Sequence, residues 1–452
     1  LFRAALGTSM TAALGKTAIV AGAGMGGLAA AAALAGKFTS VIVLDRDTLP
    51  DGIGPRMAVG QGAHTHQLLK AGELSLEKLL PGITQEFVDA GAKQMLVGRD
   101  VKVFDFGGWM DECDAGFTVT SLSRPAYEGI LRKRVAALPG VSIRQETSVK
   151  RFVIADGACT GVELEDGGIL SADLCVDGTG MTGPLMRQLA EDGHAAFETE
   201  DVRINVAYAS AKFRQKPEHR GEKTGFFFLP GPPGKQFGFL LPIEDDQWIL
   251  SVGARGEDSP PKTIEQLVEY AKAFDARVHD CISGTEATSE IRTFRKATAT
   301  RRKAWEAAKW PQGLIPIGDA LSSVNPTYGQ GMTVAACTAE ALSEMLSVRA
   351  ASGAGLDGVV AEYLPVAAEI AVRAWSLSVN SDYVYSETEG ERPANFVMNR
   401  AMATTLRKLA VEDIEFRVFR LRLVHMMENA NALRDGPLAI RFFTALQGSM
   451  AS

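Results

Sequence analysis

Two short segments, nearly three hundred residues apart, hold the residue types and spacings that could do chemistry. The first is Gly22-x-Gly24-x-x-Gly27. It follows a β-branched run, Thr17–Val20, and opens an alanine-rich helix over Leu28–Leu34. In this pattern the first glycine permits a tight turn, the second lets the backbone approach a pyrophosphate, and the third lets helix pack on strand. Met25, Gly26 and Gly27 then offer N–H groups at a helix start, where the dipole favours phosphate. An apolar run, Val41–Leu44, ends in Asp45, 21 positions after Gly24. A carboxylate there can accept both ribose hydroxyl hydrogens, with Arg46 beside it. The second segment is Gly318-Asp319-Ala320 followed by Asn325-Pro326-Thr327-Tyr328-Gly329-Gln330-Gly331-Met332. A helix beginning near Met332 would place partial positive charge on whatever lies before it, worth roughly 0.3–2 kcal/mol to an anion. The glycine motif binds a dinucleotide without separating NAD from FAD.

These residues need a scaffold, and the periodicity supplies one. The strand–turn–helix–strand order around Gly22 is that of a parallel α/β unit. Helices are expected over His66–Leu80 and Ala126–Leu138, each stopped by Pro-Gly. Val141–Ile143, Val149–Ile154, Leu174–Val176 (closing on Asp177) and Leu314–Ile317 read as strands. From Arg203 to Ala254 the texture changes to an antiparallel meander: Arg203–Phe213, Phe226–Leu229, Phe237–Leu241 and Trp248–Val252. Beyond about Pro365 the chain is helical and charge-mixed. A second match, Gly178-x-Gly180-x-x-Gly183, could mark another nucleotide site, but Leu185–Glu200 does not lead to an apolar strand capped by an acid.

The order of the glycine turn, Arg124 after a strand, Asp177-Gly178 and the Gly318–Met332 loop resembles the class A FAD-dependent monooxygenases, with the para-hydroxybenzoate hydroxylase fold. The similarity runs from about residue 16 to 365. Within the family, Arg56 … Gln61-Gly62-Ala63-His64-Thr65-His66 and Asn325–Gly329 are most similar to a bacterial branch that includes polyketide polyether epoxidases. Two positions depart from family patterns: Ser322 stands where many aromatic hydroxylases carry histidine, and Met181 where this branch carries arginine. The resemblance implies an α/β fold. A Rossmann-like FAD-binding domain (16–100, 120–190 and 293–365) would carry an inserted antiparallel β-sheet substrate domain (101–119 and 191–292) and a C-terminal helical domain (366–452). It implies that Asp319 contacts the ribityl or pyrophosphate region and that Gly331 and Met332 face the flavin N1/C2=O edge. Arg56, Gln61, His64, Arg124, Val149, Asp177, Gly318 and Gly329 join the cofactor set, and Tyr328 and Gln330 are the catalytic candidates. His64 and His66 could instead hold zinc, though no acid or thiol stands at ligand spacing beside them. NAD(P)H would reduce the flavin and O2 would add at C4a, giving the hydroperoxide that epoxidises or hydroxylates an acceptor, with water as the second product.

Such chemistry asks the protein to hold the acceptor, exclude water and delay peroxide loss. Tyr208, Phe226, Phe228, Phe239, Leu241 and Trp248 of the meander, with Pro326, could line an apolar pocket; residues two apart on a strand share a face. Each could equally be sheet core. No basic cluster suggests a carboxylate or phosphate clamp, so the expected acceptor is a mostly apolar small molecule of secondary metabolism. A net charge of −7 over 452 residues argues against a nucleic-acid footprint. Five cysteines without metal spacing fit reduced thiols in the cytoplasm, and no 18-residue apolar run could span a bilayer. Leu1–Ser9, ahead of Met10, resembles a tag remnant or upstream extension. A monomer or homodimer is expected, with the C-terminal helices either dimerising or closing the pocket. Competing readings are a flavin dehydrogenase or prenyl-chain reductase on the same fold, a flavin halogenase (whose Trp-x-Trp-x-Ile-Pro motif is missing), and a non-enzymatic flavin- or ligand-binding module.

Overall fold

The computed structural model describes residues 13–57, 59–105, 107–256 and 259–451; the expectation for Leu1–Ser9 lies outside them. Five strands form one parallel sheet in the order Leu314–Pro316, Leu174–Asp177, Gly15–Ala21, Phe38–Leu44 and Val141–Arg144. Their apolar side chains are buried on both faces, by helices Met25–Leu34, Arg124–Ala136 and Gly331–Ser352 and by a three-stranded sheet, Val149–Ala155, Ala158–Leu164 and Ile169–Ser171. This is the usual reason parallel strands read as continuous hydrophobic runs. In register, Ala21 lies beside Leu44 and Asp177, and Asp177 beside Pro316. Gly22, Asp45, Gly178 and Gly318 therefore all leave the sheet at one carboxyl edge, where open α/β sheets bind ligands.

The second sheet has eight strands, in the order Ser322–Ser323, Arg292–Arg302, Thr199–Arg214, Gln247–Arg255, Gln236–Ile243, Gly225–Leu229, Val101–Asp105 and Gly108–Trp109. It is antiparallel except where Gly225–Leu229 runs parallel to Val101–Asp105, so it is a mixed sheet rather than the pure antiparallel meander expected. Short strand Ser322–Ser323 pairs with Thr300 and Arg301. That pairing carries the loop after Asp319 onto the edge of this sheet.

Two helices begin or run differently from the sequence pattern. The one expected from His66 starts at Lys70, because the Leu69 amide donates to Thr333 Oγ1 (3.1 Å) and the Lys70 amide to His425 Nδ1 (3.2 Å). Tertiary acceptors take the N–H groups that a longer helix would have left free at its start, and His66 and Gln67 lie outside the helix. Pro365 lies inside helix Val359–Asp382 rather than before it. Val359, Val360, Tyr363 and Ala367 pack in the core of the parallel sheet, while Trp375 and Val379 pack on the large sheet. One helix thus spans both units.

Candidate active site

A cavity of about 460 Å³ runs from the glycine turn to the face of the large sheet. At its first end stand Gly22, Gly24, Met25, Gly26, Asp45, Arg46, Arg56 and Val149. The glycines differ in why they are glycines. Gly22 sits at φ +101°, and a Cβ there would fall 2.6 Å from the Gly178 carbonyl oxygen; a Cβ on Gly27 would fall 1.8 Å from the Gly22 carbonyl oxygen. A Cβ on Gly24 would meet nothing within 4 Å. Gly24 caps helix Met25–Leu34 without a side-chain acceptor, so the first-turn amides are free toward the cavity. An open cradle of amides walled by close backbone contacts fits a pyrophosphate.

Asp45 is buried and does more than the sequence indicated. Its Oδ2 accepts the Ala23 amide (2.6 Å), and its Oδ1 accepts the Asp47 amide (2.9 Å) and Arg56 Nη2 (2.6 Å). A carboxylate has about four acceptor positions, so one remains for a ligand hydroxyl instead of the two expected. Arg56 also pairs with Asp47 (3.3 Å) and Glu128 (2.8 Å) and donates to the Ala23 carbonyl (3.0 Å). Glu128 is shared with Arg124 (3.1 Å), whose buried Nε has no protein partner and whose side chain lines the cavity. Gln61 lines it too. The second glycine segment, Gly178–Thr182, faces the same cavity, with Gly178 packed on Gly27. Asp177 lies behind it, its Oδ1 accepting both the amide (2.9 Å) and hydroxyl (2.6 Å) of Thr179 while its buried Oδ2 is unpartnered.

At the other end, Asp319, Val324, Pro326, Gly329, Gln330, Gly331 and Met332 line the cavity. Helix Gly331–Ser352 starts there with Gln330 as a cap that offers no side-chain acceptor, and Gln330 Oε1 is buried and unpartnered. Gly318, at φ +56°, lies behind, where an added Cβ would fall 2.9 Å from Ala335 Cβ. Burial pushes the Asp319 carboxyl up, opposed by Lys296, Arg124 and Arg302. Free amides, an orphaned carbonyl oxygen and a carboxylate around one space suit an isoalloxazine ring with its ribityl chain. Tyr328, by contrast, turns away. Its hydroxyl lies 2.8 Å from Arg255 Nη2 and 3.0 Å from Asp382 Oδ1, in a network where Asp382 also accepts Arg255 Nη1 (2.7 Å) and Asn325 Nδ2 (2.7 Å). It buttresses the loop and leaves the cavity to its neighbours.

The large sheet forms the far wall with Tyr208, Phe237, Phe239, Ser251, Phe294 and Lys296. Tyr208 and Phe239 were expected there. Phe226, Phe228 and Trp248 are not on it: strand alternation points them to the opposite face, against Leu267, Ala271, Phe274 and Val278 of the two covering helices. Leu241 shares the face of Phe239 but packs with Met95, Val97 and Val119. Phe237 could have been found by parity with Phe239. Phe294 and Lys296 lay on a strand the sequence pattern did not single out.

His64 is behind this wall, not on it. Its Nδ1 is 2.7 Å from Ser210 Oγ, and Ser210, Ser251 and Thr65 hydroxyls continue as a chain at 2.5 and 2.8 Å to the cavity edge. Burial lowers its pKa to about 4, and its ring meets Tyr208 edge-on at 4.6 Å. His66 lines the cavity and donates from Nδ1 to the His64 carbonyl (2.9 Å); burial, then Arg124, lowers its pKa to about 3. Among the described residues no three His, Cys, Asp or Glu side chains group as metal ligands.

Known proteins place this geometry. A family model described as an FAD binding domain matches residues 16–374. The chain is 28% identical over 390 residues to Protein Rv3254 of Mycobacterium tuberculosis, covering 83% of this chain and 81% of that one. It is 24% identical over 348 residues to an aurachin C monooxygenase/isomerase of Stigmatella aurantiaca, covering 76% and 83%. Among solved structures, the flavin-dependent brominase Bmp2 shares the fold at TM-score 0.63 and 13% identity, covering 97% of this chain and 99% of that one. So does PqsL of Pseudomonas aeruginosa, at TM-score 0.60 and 18% identity over 82% and 97%. With a nucleotide cradle and a second helix start facing one cavity, and the family match covering both, the chain belongs to the FAD-binding class A flavin-dependent monooxygenases, enzymes that use NAD(P)H and O2.

Proposed function

We propose that the acceptor of this monooxygenase is a mostly apolar small molecule bound against Tyr208, Phe237, Phe239 and Phe294, where it receives oxygen as an epoxide or hydroxyl. The observation that carries this reading is that these four rings and the Pro326 loop line the same cavity as the helix start at Gly331. Bound FAD would supply the redox and oxygen-transfer chemistry, with electrons from NAD(P)H and one atom of O2. The chain's own residues do the rest. Amides at Met25–Gly27 hold the pyrophosphate, Asp45 takes one ribose hydroxyl, and Arg124 and Asp319 flank the link between the two ends. Amides at Gly331 and Met332 bear on the ring edge, and the aromatic wall orients the acceptor and excludes water.

The cavity takes residues from the proposed FAD-binding segments (16–100, 120–190, 293–365) and from the sheet segment 191–292; the pairing of Val101–Asp105 with Gly225–Leu229 supports grouping 101–119 with 191–292, and strand Arg292–Arg302 extends that sheet past residue 292. The relative named as an aurachin C monooxygenase/isomerase supports a place in secondary metabolism. Five unbridged cysteines support a reducing, cytoplasmic setting, and no helix of the described residues is long and apolar enough to cross a membrane. A metabolite screen for substrate-stimulated NAD(P)H consumption, followed by 18O2 tracing, tests the reading. Product that carries no label from O2 would overturn it in favour of the dehydrogenase or reductase alternative.

A further inference from the structure

Among the described residues, Lys296 is a buried cation without a direct ion pair. It is 7% exposed, lies on the cavity-facing side of strand Arg292–Arg302, and lines the cavity beside Phe294. Its ammonium donates to the carbonyl and hydroxyl oxygens of Ser323. An ammonium has three donors, so one is left. Among the described residues no carboxylate comes within ion-pairing distance of it. Asp319 bears on it most strongly of the carboxylates and Asp382 more weakly, the latter already held by Arg255 at 2.7 Å. Arg302 is the nearby cation. Desolvation lowers the amine's pKa to about 8, the response expected of a charge buried short of a partner.

A lysine buried among aromatic rings without a paired acid is costly unless something else completes it. Ser323 fixes the amine by two neutral contacts, and Asp319 and Asp382 offset its charge only from beyond ion-pairing distance. The remaining donor belongs to a side chain on the same wall as Tyr208, Phe237, Phe239 and Phe294. We propose that Lys296 is a specificity-determining residue whose ammonium receives one acidic oxygen of the acceptor, a carboxylate or a phenolic or enolic hydroxyl, while the rings take its apolar body. This deepens, and rests on, the proposal that the acceptor lies against this wall; it replaces a wholly apolar acceptor by one with a single polar handle.

Three bicyclic probes of similar size separate the possibilities: 2-naphthoate, 2-naphthol and neutral 2-methoxynaphthalene. Each is titrated into purified holoenzyme, and binding is read from perturbation of the flavin absorption spectrum. The enzyme, Lys296→Met and Lys296→Gln are compared, with FAD content measured for each. A charged hydrogen bond predicts about tenfold or greater preference for naphthoate or naphthol over the methyl ether. Both variants should erase that preference and keep their FAD. Preference for naphthoate identifies a carboxylate handle, and preference for naphthol a hydroxyl. Equal affinity for all three probes, a preference that survives both variants, or failure of both acidic probes to bind overturns the proposal. So does loss of FAD from the variants, which would assign the amine to the coenzyme. If the methyl ether binds while the acidic probes gain nothing, the apolar-wall reading stands without Lys296; if no probe binds at all, that reading falls as well.

Discussion

Of the three motif glycines, Gly24 alone has no internal reason to be glycine, and this separates coenzyme binding from folding. Its backbone, at φ −77° and ψ −176°, suits any residue, and an added Cβ meets no protein atom within 4 Å. Gly24→Ala should therefore leave the apoprotein as stable as before, or about 0.4–1 kcal/mol more stable through the unfolded chain. The methyl group instead enters the space before the free amides of Met25–Gly27. Losing one charged amide–phosphate hydrogen bond costs about 1.5–3 kcal/mol, so FAD should bind roughly tenfold to a hundredfold more weakly. Gly27→Ala behaves oppositely. Its Cβ would lie 1.8 Å from the Gly22 oxygen, whereas ordinary contact begins at 3.4 Å, so helix and turn must part by 1.6 Å. That overpacking costs about 1–3 kcal/mol or more without FAD. Thermal denaturation of deflavinated protein and FAD titration by fluorescence quenching give both numbers. FAD binding by Gly24→Ala as tight as in the unmodified protein, or a loss of apoprotein stability as large as that of Gly27→Ala, would refute the assignment of Gly24 to the coenzyme.

Three further outcomes are expected. Asp382→Ala leaves Arg255 buried and unpaired and frees Asn325 and Tyr328, so denaturant unfolding should show a loss of about 3–5 kcal/mol; a loss under about 1 kcal/mol would mean the network does not hold the loop. His64 and His425 are buried with pKa values lowered from 6.5 to about 4 and about 3. Because unfolding lets each bind a proton, stability is unaffected above pH 6.5 and falls below it, by about 2 kcal/mol per histidine at pH 5. Unfolding free energies that stay flat from pH 6.5 to 5 would contradict this. Phe239→Leu should raise KM for the acceptor while Phe226→Leu, on the opposite face, should not; steady-state kinetics with equal KM changes would place the acceptor elsewhere.

The glycine turn and the strands around it were legible because their geometry is local. Gly22–Gly27, the apolar strand before it and Asp45 after the next strand lie within a short stretch of chain, and backbone sterics with a helix start leave few alternatives. The loop from Gly318 to Met332 was legible for the same reason, since its glycines and helix start act on their own neighbours. Strand alternation told which meander residues travel together, Phe226 with Phe228 and Phe239 with Leu241. It could not tell which set faces the cavity, because both faces of the large sheet are apolar and both are covered. That choice was made by helices Ile264–Ala271 and Ala276–Ile282 packing on one side and the parallel-sheet unit on the other. Tyr328 was withdrawn from the site by Arg255 and Asp382, and Lys296 was brought into it beside Ser323; each partner lies at least 27 positions away in the chain. Contacts over such separations depend on how sheets and helices dock, which periodicity does not encode. Sequence thus determined where the glycine turn and the second helix start fall, and tertiary packing alone decided which side chains share their cavity.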